Sequence, residues 1–339
     1  MEKKAIFGVG TYGRICRNIL KKAEVEVECF VQSTSPICKM VDGIPVYSLE
    51  DFMCLGSDWI IGIAINDDNT VFEVTERLIR EGYIKERIFD MRGFIQQNKN
   101  LLFEHKCLIC KKTVHNWLSG GEKNSFFEDN KISGGGYREN MSCPLCGALD
   151  RERFLYYMLE NYTDIFEKKD IKVLHFAPEY HVKELLRSQV DYYPVDLYPI
   201  DSSIHRMDVT NILFSDQVFD FVIINHVLEH ILDEKAAMKE LLRVLRPDGI
   251  LIFSFPIAFN NESTIEADCA ISEAEAVERF GQKDHVRIYG RDYIDRFEKY
   301  GLQMNIYRPR NILSEELIER YGFMAEDVLI MAKMTGAKQ

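Results

Sequence analysis

The stretch FDFVIINHVLEHI (residues 219–231), followed after a short polar segment by ELLRVLRPDGILIFSFP (240–256), decides the fold. It reads as strand, helix, helix, proline-glycine turn and strand, the close of a βαβ unit whose parallel strands must be joined by a crossover. Phe221-Val222-Ile223-Ile224 is an unbroken apolar run, as in a strand buried on both faces. The run ends in Asn225-His226, polar groups at a strand's carboxyl end, where open α/β sheets bind ligands.

Working upstream, Ile171 to Phe176 is the expected first strand of the same sheet, and Ala177-Pro178-Glu179 the turn into the next helix. A second strand, Tyr192 to Val195, ends at Asp196, and a short third one ends in Met207-Asp208-Val209-Thr210. Downstream, Asp292 to Tyr300 reads as a helix stopped by Gly301. Leu302–Tyr307 and Asp327–Met334 read as a final antiparallel pair, with a helix inserted over Ser314–Tyr321.

HVLEH at the end of one strand and RVLRPDG before the next resemble the class I S-adenosylmethionine-dependent methyltransferases, in the branch whose fifth strand is introduced by RVLxPGG. The likeness runs from Val173 onward, with Asp248 in place of the first of the two glycines and Gly249 left for a turn of positive φ. It implies a doubly wound sheet and S-adenosylmethionine as cofactor. Most such enzymes bring a glycine-rich turn close to the cofactor; His175-Phe176-Ala177-Pro178-Glu179 has none and is similar to a subgroup with HxAPE there. On that resemblance His175, Ala177, Pro178 and Glu179 surround the cofactor, with Glu179 orienting its amino group. Asp196, beside Leu197, has a carboxylate suited to both ribose hydroxyls. Asp208 and Val209 are expected at the adenine, a turn or cap being the alternative for Asp208. Asn225 completes the set.

Nine cysteines point to metal binding or reduced thiols rather than disulfides in a cytosolic chain. Cys107-Leu108-Ile109-Cys110 and Cys143-Pro144-Leu145-Cys146 form two CxxC knuckles, the second continuing to Gly147 as in a zinc ribbon. Four thiolates fill a tetrahedral ion, so a structural zinc is expected, against two unrelated reduced pairs as the alternative. Cys16, Cys29, Cys38, Cys54 and Cys269 lack such spacing and read as buried free thiols. The loop Leu118–Tyr137, with its glycine runs, reads as the ribbon hairpin, and residues 151–159 as an amphipathic helix leading into the sheet.

In the first hundred residues, the strand Lys4–Phe7 runs into Gly8-Val9-Gly10-Thr11-Tyr12-Gly13, a GxGxxG at a strand-to-helix turn, the context for phosphate binding. The next strand, Val25–Val31, ends at Gln32 where an NAD site would place an acid, which argues against NAD. GIPVYSLE (43–50) and DWIIGIA (58–64) resemble the small Rossmann-like domains of bacterial sugar-modifying enzymes. That resemblance implies a nucleotide sugar or glycan phosphate held by Gly8, Gly10, Thr11, Tyr12 and Gly13, the alternative being an empty domain kept for packing or dimerisation.

The acceptor side is sought in FGQKDHVRIYG (280–290), a segment dense in functional groups. His285 is the candidate general base, Asp284 its orienting partner and Arg287 a clamp for an acidic group; a helix cap and a local ion pair are the alternatives. His226 is expected to line the transfer cavity and His230 to pack.

Composition bounds the reading. A net charge of -12 over 339 residues argues against a large nucleic-acid partner. No run approaches the ~20 apolar residues of a membrane span, and Met1-Glu2-Lys3-Lys4 is not followed by a signal-peptide core, so a cytoplasmic location is expected. The expected organisation is α/β throughout: a Rossmann-like nucleotide- or sugar-binding domain (1–100), a zinc ribbon (101–150) and a class I methyltransferase domain (151–339). The expected activity is O-methylation of a sugar or nucleotide-linked sugar in bacterial glycan or surface-polysaccharide biosynthesis, with homo-oligomerisation open. Alternatives are a ribosomal RNA methyltransferase with a zinc module and a non-catalytic nucleotide-binding scaffold.

Overall fold

The computed structural model describes residues 2–36, 39–41, 43–98, 105–121, 123 and 125–335. Cys38 and the expected boundary near residue 100 lie outside the described residues, as does the side chain of Thr11. The chain forms two compact units, Met1–Glu104 and His105–Gln339. Residues 105–150 therefore belong to the same unit as the sheet that follows them. No helix among the described residues is long and apolar enough to cross a membrane.

The first unit contains β1 (Lys3–Phe7), α1 (Thr11–Lys22), β2 (Cys29–Gln32), β3 (Met40–Val41), β4 (Ile44–Ser48), α2 (Leu49–Met53), β5 (Trp59–Ile63), α3 (Asp68–Arg80), β6 (Ile88–Asp90) and α4 (Arg92–Asn98). Its sheet order is β3-β4-β2-β1-β5-β6, parallel apart from β3. Both faces are covered: Ala5 and Phe7 enter one apolar cluster and Ile6 the other. β2 begins at Cys29 rather than Val25, because Glu24 takes a positive φ and only residues 29–31 pair with β1.

The second unit opens with β7 (His105–Lys106), β8 (Thr113–Val114), β9 (Leu118–Gly120), α5 (Ser125–Asp129), β10 (Ile132–Ser133), β11 (Arg138–Ser142) and α6 (Asp150–Tyr162). There follow β12 (Lys172–Phe176), α7 (Tyr180–Leu186), β13 (Asp191–Asp196), β14 (His205–Arg206), β15 (Phe219–Asn225), α8 (Glu234–Val244) and β16 (Leu245–Ser254). The chain ends with β17 (Ile257–Ala258), β18 (Ile265–Glu266), α9 (Glu273–Phe280), β19 (Arg287–Ile288), α10 (Tyr293–Glu298), β20 (Leu302–Tyr307), α11 (Pro309–Ile312), α12 (Glu315–Tyr321) and β21 (Leu329–Met334).

The main sheet runs β14-β13-β12-β15-β16-β21-β20, with β21 antiparallel to both neighbours. Alternation along β15 explains its apolar run: Phe221 and Ile223 face one core, Val222 and Ile224 the other. Register aligns the carboxyl ends of the central strands, pairing Phe176 with Val195 and with Ile224, and Asn225 with Ser254. That alignment builds the site.

Four further local expectations change. HVLEH does not make an α-helix; Leu228–His230 is a single 3₁₀ turn, because Arg287 donates to the carbonyls of Leu228, Ile231 and Leu232 that a longer helix would use. Gly249 is not at positive φ. It answers a space requirement, since a Cβ there would lie 2.7 Å from Leu245 Cδ1, and residues 246–249 bulge between the Phe219–Leu245 and Phe221–Ile250 pairs. α6 is buried nearly all round, including Asp150, Glu152 and Arg153, and is not amphipathic in its setting. Cys16 and Cys29 are buried as expected, whereas Cys54 and Cys269 are exposed.

Candidate active site and four-cysteine cluster

Glu179 ends the β12–α7 turn and sits between two partners. His175 Nε2 lies 2.9 Å from its Oε2, and Asn225 Nδ2 donates to its Oε1 at 3.2 Å. Asn225 in turn accepts from Ser254 Oγ at 2.9 Å, so three adjacent strand ends are linked through one carboxylate. Burial pushes the Glu179 carboxyl up, but His175 outweighs it and holds the group below its ordinary range. His175 itself is fully buried, its Nδ1 2.9 Å from the Tyr192 hydroxyl, and it orients Glu179 rather than facing open space. Ala177 is exposed at φ +44°, a left-handed conformation that L-residues adopt at a cost of about 1 kcal/mol or more. The turn thus has the backbone shape usually given to glycine, with a methyl as its largest side chain.

The β13 end places Asp196 at the same edge, where its Oδ1 accepts from the Tyr198 amide at 2.7 Å. Leu197 beside it is exposed. Asp208 forms a local turn, its Oδ1 accepting from both the amide and the hydroxyl of Thr210 at 2.8 Å, while Val209 is buried in the core. Asp208 is exposed and makes the same local turn bond as Asp196, while Val209 packs in the core.

Beyond Asn225 the chain turns at His226, which also has a positive φ, and enters a cavity of about 670 Å³. His226, Glu229, His230, Asp284 and His285 line it together. His226 Nδ1 lies 3.5 Å from Glu229 Oε1, and His230 Nδ1 is 3.0 Å from the Asp284 carbonyl oxygen. Burial lowers the His285 imidazole to about 4, so it is neutral and a weak base at pH 7. The Glu229 carboxyl is pushed up by burial, but the imidazoles around it prevail and set it low. Gly134, Arg151 and His226 also line the smaller pocket that contains Glu179 and Asn225. The two spaces adjoin.

Arg287, expected to clamp an acidic group, does not line this cavity. Its buried guanidinium donates to three backbone carbonyls and to Glu266, and lies 3.8 Å from Glu234. Its role is to hold the 228–232 turn. Residues the sequence reading missed supply the facing wall: Phe127, Gly134–Gly136, Arg138 and Arg151. All but Arg151, which is in the first turn of α6, come from the segment between the knuckles, which pairs antiparallel through β10 with β17, just beyond the end of β16. Gly134 takes φ +80°, and a Cβ there would press on His226 Cε1 at 3.1 Å, so the position favours glycine. The run of three glycines was the one available signal. Arg138 is paired with Asp150 at 3.0 Å, whereas Arg151 Nε has no hydrogen-bond partner among the described residues.

The four cysteines Cys107, Cys110, Cys143 and Cys146 converge, with sulfur separations of 3.7 Å for Cys107–Cys146 and 4.0 Å for Cys110–Cys143. A tetrahedron with metal–sulfur bonds of about 2.3 Å has edges of about 3.8 Å, so the donor set fits a closed metal site. The Leu145 amide points at Cys143 Sγ from 3.4 Å; although burial raises the thiol, such amides overcome it and lower the Cys143 pKa. The cluster is tied to the end of α12 by Arg153, which donates to the carbonyls of Ala148, Asn140, Tyr321 and Gly322.

In the first unit, Gly8 takes φ +112°, and a Cβ on Gly13 would fall 1.8 Å from the Gly8 carbonyl oxygen, so both are needed by the turn itself. Gly10, the residue before α1, has nothing within 4 Å of a built Cβ. Its backbone is the open face of the loop, and Tyr12 is half-buried beside it.

Residues 163–253 match the family described as a methyltransferase domain, and residues 1–89 the family described as C2185-like, N-terminal. No curated protein matches the chain. Solved structures similar to part of it include a SAM-dependent methyltransferase from Archaeoglobus fulgidus, 16% identical, covering 53% of this chain and 93% of that one, with a TM-score of 0.35. The YcgJ protein from Bacillus subtilis is 14% identical, covers 53% and 100%, and scores 0.35. The CurJ carbon methyltransferase is 13% identical, covers 55% and 53%, and scores 0.36. At such scores the structural likeness adds no argument. The domain match does: the chain carries a methyltransferase domain and is an enzyme.

Proposed function

We propose that the second unit transfers a methyl group from S-adenosylmethionine to a hydroxyl of a sugar or nucleotide-linked sugar, in bacterial glycan biosynthesis. The observation that carries the reading is the continuity of two spaces: a small pocket at the strand ends that contains Glu179 and Asn225, and the polar 670 Å³ cavity behind His226, with Gly134, Arg151 and His226 in the walls of both. S-adenosylmethionine, when bound, supplies an electrophilic methyl, so the protein's task is alignment and proton removal. Asp196 would hold the ribose hydroxyls, and the Asn225-linked Glu179 the amino group. His226, with Glu229 at its Nδ1, is the better-placed proton acceptor than the buried His285. Arg151 offers a donor to an acidic acceptor.

The first unit supports the acceptor class. In this reading it is a Rossmann-like domain whose open Gly10 backbone takes a phosphate of the nucleotide or glycan, and the four cysteines hold a structural zinc that fixes the wall opposite His226. The test uses purified full-length protein, labelled S-adenosylmethionine, and separate panels of nucleotide sugars, ribosomal RNA and protein. Transfer to a nucleotide sugar, lost in His226→Ala, is expected. Transfer to RNA alone would sink the sugar reading. Absence of S-adenosylmethionine binding by calorimetry would remove the donor assignment itself.

A further inference from the structure

We propose that Glu229, His230 and His285 form a divalent transition-metal site in the wall of the cavity, distinct from the four-cysteine cluster. Their ligand atoms lie within 4.8 Å of one another, so small side-chain rotations bring all three onto one ion. Two are deeply buried, Glu229 at 1% exposure and His285 at 2%. Glu229 Oε2 and His285 Nδ1 have no hydrogen-bond partner among the described residues. Leaving such buried atoms unpaired is unfavourable, and an occupant would relieve it.

The surroundings are built for ligation. His230 Nδ1 donates to the Asp284 carbonyl at 3.0 Å, which leaves the Nε2 lone pair free, the orientation a backbone partner commonly gives a metal-binding imidazole. The Val286 amide donates to the Glu229 carbonyl at 2.9 Å, joining the two ligand-bearing segments. Arg287 then pins the carbonyls on either side of the Glu229-His230 turn. The backbone carrying the ligands is therefore fixed independently of any ion. Glu229 Oε1 faces His226, leaving Oε2 for the metal.

Two imidazoles and one carboxylate suit Zn²⁺, Mn²⁺, Fe²⁺, Co²⁺ or Ni²⁺, and three protein ligands leave coordination positions open to the cavity. An acceptor oxygen can take one of them, placing a hydroxyl near His226. This deepens the reading of the cavity as the acceptor chamber and rests on it for the metal's use; binding itself is measured without methyl transfer, so the two fail separately.

The test is a Co²⁺ titration of full-length protein whose cysteine cluster already holds zinc, followed by d–d absorption and metal analysis. One added Co²⁺ per chain is expected, without thiolate charge-transfer bands. Glu229→Gln and His285→Ala should each weaken it by about a hundredfold while zinc content stays constant. Should the His285 variant misfold, His230→Asn decides, its side chain being 31% exposed. No added Co²⁺, or added Co²⁺ held equally by every folded variant, would overturn the site.

Discussion

His181 Nε2 lies 2.8 Å from the backbone carbonyl oxygen of Cys146, so a residue in the first turn of α7 is joined directly to the second cysteine knuckle. Its Nδ1 is 3.1 Å from Glu152, whose carboxylate also accepts the Leu149 and His181 amides. The cysteine cluster and the turn that carries Glu179 are thus braced by one imidazole.

Removing that brace should act at a distance. His181→Ala is expected to cost about 1 kcal/mol of stability and to weaken S-adenosylmethionine binding several-fold while metal content stays at the wild-type value, read by calorimetry and metal analysis. With the structural zinc proposed for the four cysteines, a chelator that strips it should produce the same loss of donor affinity together with a lower Tm. Unchanged donor affinity in both experiments would separate the cluster from the cofactor side.

Arg153→Met should be among the most damaging substitutions. Four carbonyl oxygens would lose their donor, and the stacking of the guanidinium 4.0 Å over the Trp117 ring would go with it. A loss of about 3 kcal/mol or more is expected in urea unfolding.

The GxGxxG loop separates structural from ligand-facing glycines. Gly13→Ala drives its Cβ against the Gly8 carbonyl and should destabilise the first unit by more than about 2 kcal/mol. Gly10→Ala should change stability by less than about 1 kcal/mol, yet weaken binding of a nucleotide sugar if the loop cradles its phosphate. Equal affinity in wild type and Gly10→Ala would count against that use.

Asp327 gives a pH signature. Burial, and next the charge of Asp150, raise its carboxyl to about 6 against an ordinary 3.8. A raised acid is stabilising while protonated: its contribution is full below about 4 and is lost as pH rises through about 6. Asp327→Asn should therefore leave stability nearly unchanged at pH 4 and increase it at pH 8, by an amount on the order of 1–3 kcal/mol. A variant less stable than wild type at pH 8 would contradict the buried-charge account.

The sheet was legible because strands buried on two faces write themselves as apolar runs, and because turns such as that after Phe176 end in polar groups at one edge. The cysteine spacing likewise foretold which four thiols would meet. What escaped was everything decided by distant partners. The HVLEH turn stays short because Arg287 takes its carbonyls, and α6 looks amphipathic in isolation but is enclosed by the cysteine loops and the chain's final strands. Arg138 and Arg151 gave no local sign that they would face His226. The glycine loop that faces His226 beside them is placed by two paired residues in β10 and β17, a contact with no counterpart in composition or periodicity.

That pairing also sets a timetable for synthesis. Both CxxC knuckles leave the ribosome before the main sheet exists, so metal capture can precede it, whereas Ile132 must wait for Ala258. The chamber opposite His226 is consequently finished only after β17 and the Asp284–His285 segment have emerged, and until then the growing chain has nowhere to enclose an acceptor.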